Sequence, residues 1–342
     1  MKAAVLKDKH KVVIQEIADL SPAPEQLLIK TEYAGICGSD LHAYEGRHPF
    51  RKPPVVLGHE LSGTVVGFGK KVADFQVGDR VTVMPIESCG SCMQCQRNKK
   101  NLCINKRLPG MNNWHGTFAE YFLALPGQTF ILGKETSLQK GALAEPLAVA
   151  IHSVRRIQKI NNMRALILGA GTIGILTAVV AKLLGAQFIA ITDLYTYNLN
   201  LAENLSGSVA YNANHSDLAG VILNDHPQKF DAVFICGGVP PLVDQALALV
   251  TAGGMVVVTG LFFQPVTVDF SKITLNELNF IGTVLYDPID FQTAVEWLNS
   301  SPVSFEKIIS HVFPLNQVQP AMELAAERRE DFMKILIEIS KT

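Results

Sequence analysis

A thiol and an imidazole stand in two short motifs near the start of the chain, Cys37-Gly38-Ser39-Asp40-Leu41-His42 and Gly58-His59-Glu60. Both are ligand types that Zn²⁺ favours, and a third protein ligand with one position left open would make a hydrolytic or redox metal centre. Glu145, in Ala144-Glu145-Pro146-Leu147, is the candidate for that third place. Ser39 and His42 follow the thiol by two and five residues, a spacing that suits them to carry a proton away from whatever the metal binds. Taken alone, a cysteine and a distant histidine also describe two packed side chains. The rest of the chain decides between the readings.

Four more cysteines, Cys89, Cys92, Cys95 and Cys103, lie at gaps of three, three and eight residues in a polar loop. Thiolates at that spacing close a tetrahedral Cys₄ zinc site. An iron–sulfur cluster or a disulfide pair are the alternatives. A Cys₄ site with no open position stabilises its loop and does no chemistry. Cys236, within the apolar run Ala232-Val233-Phe234-Ile235, reads as core, the usual place for a free cysteine.

A third constellation suits a dinucleotide. The apolar run Ala165-Leu166-Ile167-Leu168 leads into Gly169-Ala170-Gly171-Thr172-Ile173-Gly174, a helical stretch follows, and the next strand, Phe188 to Thr192, ends in Asp193. A Gly-x-Gly-x-x-Gly is informative when it joins a strand to a helix with an acid at the end of the following strand. Gly169, Gly171 and Gly174 let the backbone approach a pyrophosphate, and Thr172 and Ile173 open the helix whose free N–H groups face it. Asp193 is placed to accept from two ribose hydroxyls. Its charge repels a 2′-phosphate, and Leu194-Tyr195-Thr196-Tyr197-Asn198 offers no arginine to hold one. The expected cofactor is NAD rather than NADP.

These residues need a scaffold. Residues 1–150 read as short β runs between Gly and Pro punctuation (Val12-Val13-Ile14, Gln26 to Lys30, Thr64-Val65-Val66, Arg80 to Val83), the pattern of a barrel-like all-β domain. Near residue 151 the pattern changes to a helix over Ile151 to Ile160, then to strands at Asp231–Ile235, Gly254–Thr259 and Phe280–Gly282 with helical segments between, as in a doubly wound sheet. The helix, strand, helix and strand beyond Asp290 are expected to return to the first domain. The division is therefore 1–150 with 290–342, and 151–289. With 342 residues, 48% hydrophobic and 18% charged, the chain can bury two cores. A net charge of -1 gives no reason to expect nucleic acid or an acidic membrane as partner. With no long apolar run and no signal-like start, a cytoplasmic protein is expected.

Taken together, Gly58-His59-Glu60, the cysteine loop, Gly116-Thr117-Phe118-Ala119-Glu120-Tyr121 and the glycine fingerprint resemble the zinc-dependent medium-chain dehydrogenase/reductase (alcohol dehydrogenase) family. Glu145-Pro146-Leu147-Ala148-Val149-Ala150-Ile151-His152 is most similar to its sorbitol/polyol branch. The resemblance implies an α/β architecture, a GroES-like β-barrel catalytic domain plus a Rossmann doubly wound cofactor domain. It implies two zincs per chain, NAD, a small alcohol as substrate, and a homodimer or homotetramer. It places catalytic zinc on Cys37, His59 and Glu145 with water in the fourth place, and makes Glu60 a neighbour that approaches the metal transiently. Asp40 would orient the liganding histidine. Ser39, a cofactor ribose hydroxyl and His42 would carry the alcohol proton to solvent. There is one departure: Leu285, in Thr283-Val284-Leu285-Tyr286-Asp287, stands where polyol enzymes usually carry a substrate-binding arginine. This argues against sorbitol itself and for a less polar secondary alcohol or a vicinal diol. An L-threonine 3-dehydrogenase-like activity ranks second. A non-catalytic NAD and zinc sensor ranks below both, since the ligand set is complete.

Overall fold

In the computed structural model, which describes residues 1–111 and 114–340, short strands of alternating burial pair into the sheets of a first unit. Its main sheet runs, in spatial order, Ile309–Pro314, Lys334–Glu338, Leu27–Gly35, Glu60–Phe68, Arg80–Val83 and Thr129–Ile131, with Tyr121–Ala124 also on the central strand. Leu27, Ile29 and Thr31 are buried at every second position, the period of a strand with one face inward. Leu27 and Ile29 join Leu61, Val65, Val81 and Phe122 in one core. A three-stranded sheet of Lys11–Glu16, Lys2–Asp8 and Val55–Val56 packs its apolar face with the helix Val318–Glu327 in a second core.

The last strand, Lys334–Glu338, pairs antiparallel with Leu27–Gly35, Leu336 opposite Gly35. Gly35 is also opposite Glu60 on the other side. Two distant segments therefore flank the end of the strand that delivers Cys37. The helix Gly38–Tyr44 follows at once, with Cys37 at its N-cap.

The second unit, Pro146–Tyr286, is distinct from the first, Met1–Glu145 with Asp287–Thr342. Its six parallel strands lie in the order Val209–Asn212, Phe188–Asp193, Arg164–Leu168, Phe230–Ile235, Val250–Val258 and Asn279–Gly282. Strand order reverses at Arg164–Leu168, and ligands of open α/β sheets bind beyond the carboxyl end of such a strand. Ala165 to Leu168 and Ala232 to Ile235 are wholly buried, as parallel strands covered on both faces must be. One boundary departs from expectation: the helix placed at Ile151 begins at Ala144 and ends at Arg155. Pro146 fits its first turn, where a missing N–H costs nothing. Glu145 therefore sits on a helix rather than in a loop. No helix among the described residues is long and apolar enough to cross a membrane.

Candidate active site

Ligand atoms of Cys37, His59 and Glu60 lie within 4.8 Å of one another. This is a donor set that fits one zinc ion. Each arrives by a local device. Cys37 ends the turn after the central strand; Gly58, at φ 90°, turns the chain just before His59. Glu60 opens its strand opposite Gly35, where a Cβ would overlap the Glu60 carboxylate. The glycine thus makes room for the carboxylate beside the thiol. Glu145 is buried in the first turn of its helix but does not join this close group. The third ligand expected from sequence is Glu145; the carboxylate that strand pairing groups with Cys37 and His59 is Glu60.

Behind the ligands stand groups that fix them. Asp40 is fully buried and accepts from the backbone N–H of Cys37 and of Gly58, both at 3.1 Å. It lies 3.6 Å from His59 Nδ1, which leaves Nε2 for a metal and matches the carboxylate partner that liganding histidines require. Burial opposes the Asp40 charge, yet His59 and Arg51 beside it hold its carboxyl well below the usual range. Burial likewise opposes a charge on His59, but Asp40 outweighs it and raises the imidazole well above 6.5.

Two side chains were not legible in the sequence. Lys334 is buried and donates to both Glu60 oxygens at 2.9 Å and to the Ile36 carbonyl at 3.0 Å. Burial disfavours its charge, but Glu60, Cys37 and Glu145 together raise its pKa. Arg51, 5% exposed, donates through Nη1 to Ser39 Oγ at 3.0 Å and through Nε to the Pro109 carbonyl at 3.2 Å.

Ser39 and His42 share the helix Gly38–Tyr44 three residues apart, hence one face. His42 is half-buried, and burial first, then Arg47, lowers its pKa. Tyr44 and Phe118 belong to the core, and Trp114 stacks on Phe122 at 5.5 Å.

In the cysteine loop, Sγ atoms stand 3.5 Å apart for Cys92–Cys95 and Cys89–Cys103, 3.9 Å for Cys92–Cys103 and 4.0 Å for Cys89–Cys95. Thiolates at about 2.3 Å around one tetrahedral ion lie about 3.8 Å apart; disulfides at about 2.05 Å are excluded. Backbone N–H groups of Ser91 and Cys92 hold the Cys89 thiol at about 6, whereas burial pushes Cys95 up to about 11. The loop fits a single structural ion.

The glycine loop also fits its expected ligand. Gly169 has φ 100°, and a Cβ on Gly174 would strike the Gly169 carbonyl. Around Gly171 the space is open, and Thr172 and Ile173 begin the helix Thr172–Leu183. Asp193 accepts from the N–H of Ala170 at 2.7 Å and of Tyr195 at 3.0 Å, which holds its carboxylate beside the loop.

Known proteins resemble the chain along its length. The alcohol dehydrogenase GroES-like domain model matches residues 23–134, and the zinc-binding dehydrogenase model matches residues 172–300. Sorbitol dehydrogenase of Bombyx mori is 34% identical over 353 residues, covering 98% of each chain. The chain belongs to the zinc-binding medium-chain dehydrogenase/reductase family. Within this dehydrogenase family, a zinc-binding dehydrogenase of Sinorhizobium meliloti 1021 solved with NADP is 31% identical with a TM-score of 0.93 over 99% of each chain. A protein described as a short chain alcohol dehydrogenase, from Escherichia coli CFT073 and solved with NADH, is 27% identical, with a TM-score of 0.91 and 99% coverage of each chain. The protein is thus an NAD(P)-dependent oxidoreductase of the zinc alcohol/polyol dehydrogenase type, acting on a secondary alcohol or diol. It combines a GroES-like N-terminal domain with a Rossmann-type parallel sheet.

Proposed function

We propose that the protein oxidises a polyol or vicinal diol at a secondary carbon with NAD, using zinc held by Cys37, His59 and Glu60. The observation that carries this reading is the close grouping of those three side chains, backed by Asp40 and Lys334. The first unit is then the catalytic domain and the second the NAD-binding domain. Zinc bound there would act as a Lewis acid on the substrate oxygen while NAD takes the hydride from the carbinol carbon. The remaining work falls to the chain. Asp40 orients His59, and Lys334, bonded to both its oxygens, holds Glu60 in place. Ser39 accepts the hydroxyl proton, and His42, on the same helical face, passes it to solvent. Glu145, buried nearby, also raises the Lys334 pKa.

NAD rather than NADP follows from the Asp193 carboxylate, although one relative was solved with NADP. A vicinal diol in preference to sorbitol itself is favoured by Leu285, an apolar residue at φ 52° where polyol enzymes usually carry an arginine. The edge strand Asn279–Gly282, paired on one side only among the described residues, supports a homodimer or homotetramer. Unpaired thiols at all six cysteines support a cytoplasmic location.

The test is initial-rate measurement with NAD and NADP across vicinal diols, sugar alcohols and simple secondary alcohols. We expect NAD to exceed NADP by at least about tenfold in kcat/KM, with a vicinal diol as best substrate. Equal use of both cofactors would remove the role given to Asp193; a sugar alcohol as best substrate would remove the one given to Leu285.

A further inference from the structure

Arg51 has no part in the chemistry described so far, yet its guanidinium is nine-tenths buried within reach of the proposed proton path. Nη1 donates to Ser39 Oγ at 3.0 Å and lies 3.7 Å from Asp40 Oδ1; Nε is held by the Pro109 carbonyl at 3.2 Å. The segment carrying it is itself fixed, because His48 Nδ1 accepts the backbone N–H of Arg51 at 3.0 Å and of Phe50 at 3.2 Å. The fork is therefore pinned from behind and aimed at a hydroxyl.

A serine hydroxyl has one proton and two lone pairs. With Arg51 on one lone pair, Ser39 keeps one lone pair to receive a proton and one O–H to give away. We propose that Arg51 is a positioning residue for the proton transfer: it fixes the Ser39 rotor so that the hydroxyl proton leaves in one direction. This rests on the reading that Ser39 carries the substrate proton. In the step, the Ser39 O–H bond breaks toward the outer acceptor as a new Oγ–H bond forms with the substrate's proton; no electrons change hands. An arginine cannot accept a proton in this range, so the path has no return branch at Arg51.

The experiment is a double-mutant cycle on the zinc-loaded enzyme, with Arg51→Met, Ser39→Ala and the pair, reading kcat, alcohol KM, the solvent deuterium isotope effect and zinc content. Arg51→Met is expected to lower kcat about tenfold and raise the isotope effect, with KM and zinc content unchanged. In the Ser39→Ala background the same change should alter kcat by less than about twofold. Arg51→Lys keeps a charge beside Asp40 but loses the fork; it serves if the methionine variant does not fold, and the same non-additivity is expected with a smaller loss. An equal loss from Arg51 substitution with and without Ser39, or a loss of zinc, would overturn the proposal and place Arg51 among the supports of Asp40. A Ser39→Ala enzyme with unchanged kcat and isotope effect would instead overturn the relay reading on which the proposal rests.

Discussion

Two carboxylates compete for one role at the metal, and their surroundings separate them. Glu60 faces the thiol through the gap left by Gly35 and is held by Lys334; Glu145 lies outside the close group. Glu60→Gln is therefore expected to lower metal content from two zincs per chain toward one, and to reduce stability by about 3–5 kcal/mol, since it removes the carboxylate partner of a buried ammonium. Glu145→Gln should retain both zincs. Elemental analysis of the two proteins checks this, and the reverse pattern would restore Glu145 as ligand. Cys37, Ser39, Asp40, His42 and His59 were legible because local motifs carry them. Lys334 and Arg51 were not. A lysine opening Lys-Ile-Leu-Ile-Glu looks like any solvated strand start, and only the pairing of strands some 300 residues apart buries it.

At the scale of elements, the segment between the helix Gly38–Tyr44 and the strand Val55–Val56 is organised by His48. Its Nδ1 accepts two backbone N–H groups, and burial, then Arg51, pushes its pKa down from 6.5 to about 4 against the opposing pull of Asp40. Because the folded value lies below the unfolded one, the unfolded chain takes the proton first, and stability is lost as pH falls from 6.5 toward about 4. His48→Asn keeps an acceptor and removes the titration. Urea midpoints at about pH 7 and about pH 5 should differ less in this variant than in the natural protein; an equal difference would show that His48 does not carry the effect. Strands were the most legible elements, since alternation and continuous apolar runs report burial directly: Arg80–Val83 and Phe188–Asp193 stand where the pattern put them. The start of the helix at Ala144 was not, because Pro146 reads as a breaker unless the helix is known to begin just before it.

For the whole molecule, the order of motifs carried most of the fold: a zinc pair in a β-rich segment, a Cys₄ loop, then a glycine fingerprint between strand and helix. Association was harder to read, because an edge strand becomes visible only once the sheet is ordered. Phe280 on Asn279–Gly282 is 38% exposed, and Phe270 and Leu275 just before it are 72% and 82% exposed. Such an edge is a template for a second chain. For the proposed homo-oligomer, Phe280→Lys is expected to shift the protein toward monomer in sedimentation velocity with its circular dichroism unchanged; a natural protein that is monomeric at micromolar concentration would contradict that proposal.

In the proposed mechanism, turnover belongs to the metal held by Cys37, His59 and Glu60 and not to the ion in the cysteine loop. The most direct measurement is NADH formation from a vicinal diol by Cys37→Ser protein beside the natural chain, with zinc content determined in both. The account predicts about one zinc per chain in the variant, kept by the Cys₄ loop, and a rate at least about a thousandfold below that of the two-zinc natural chain. A Cys37→Ser protein that turns over at the natural rate with one zinc would contradict it.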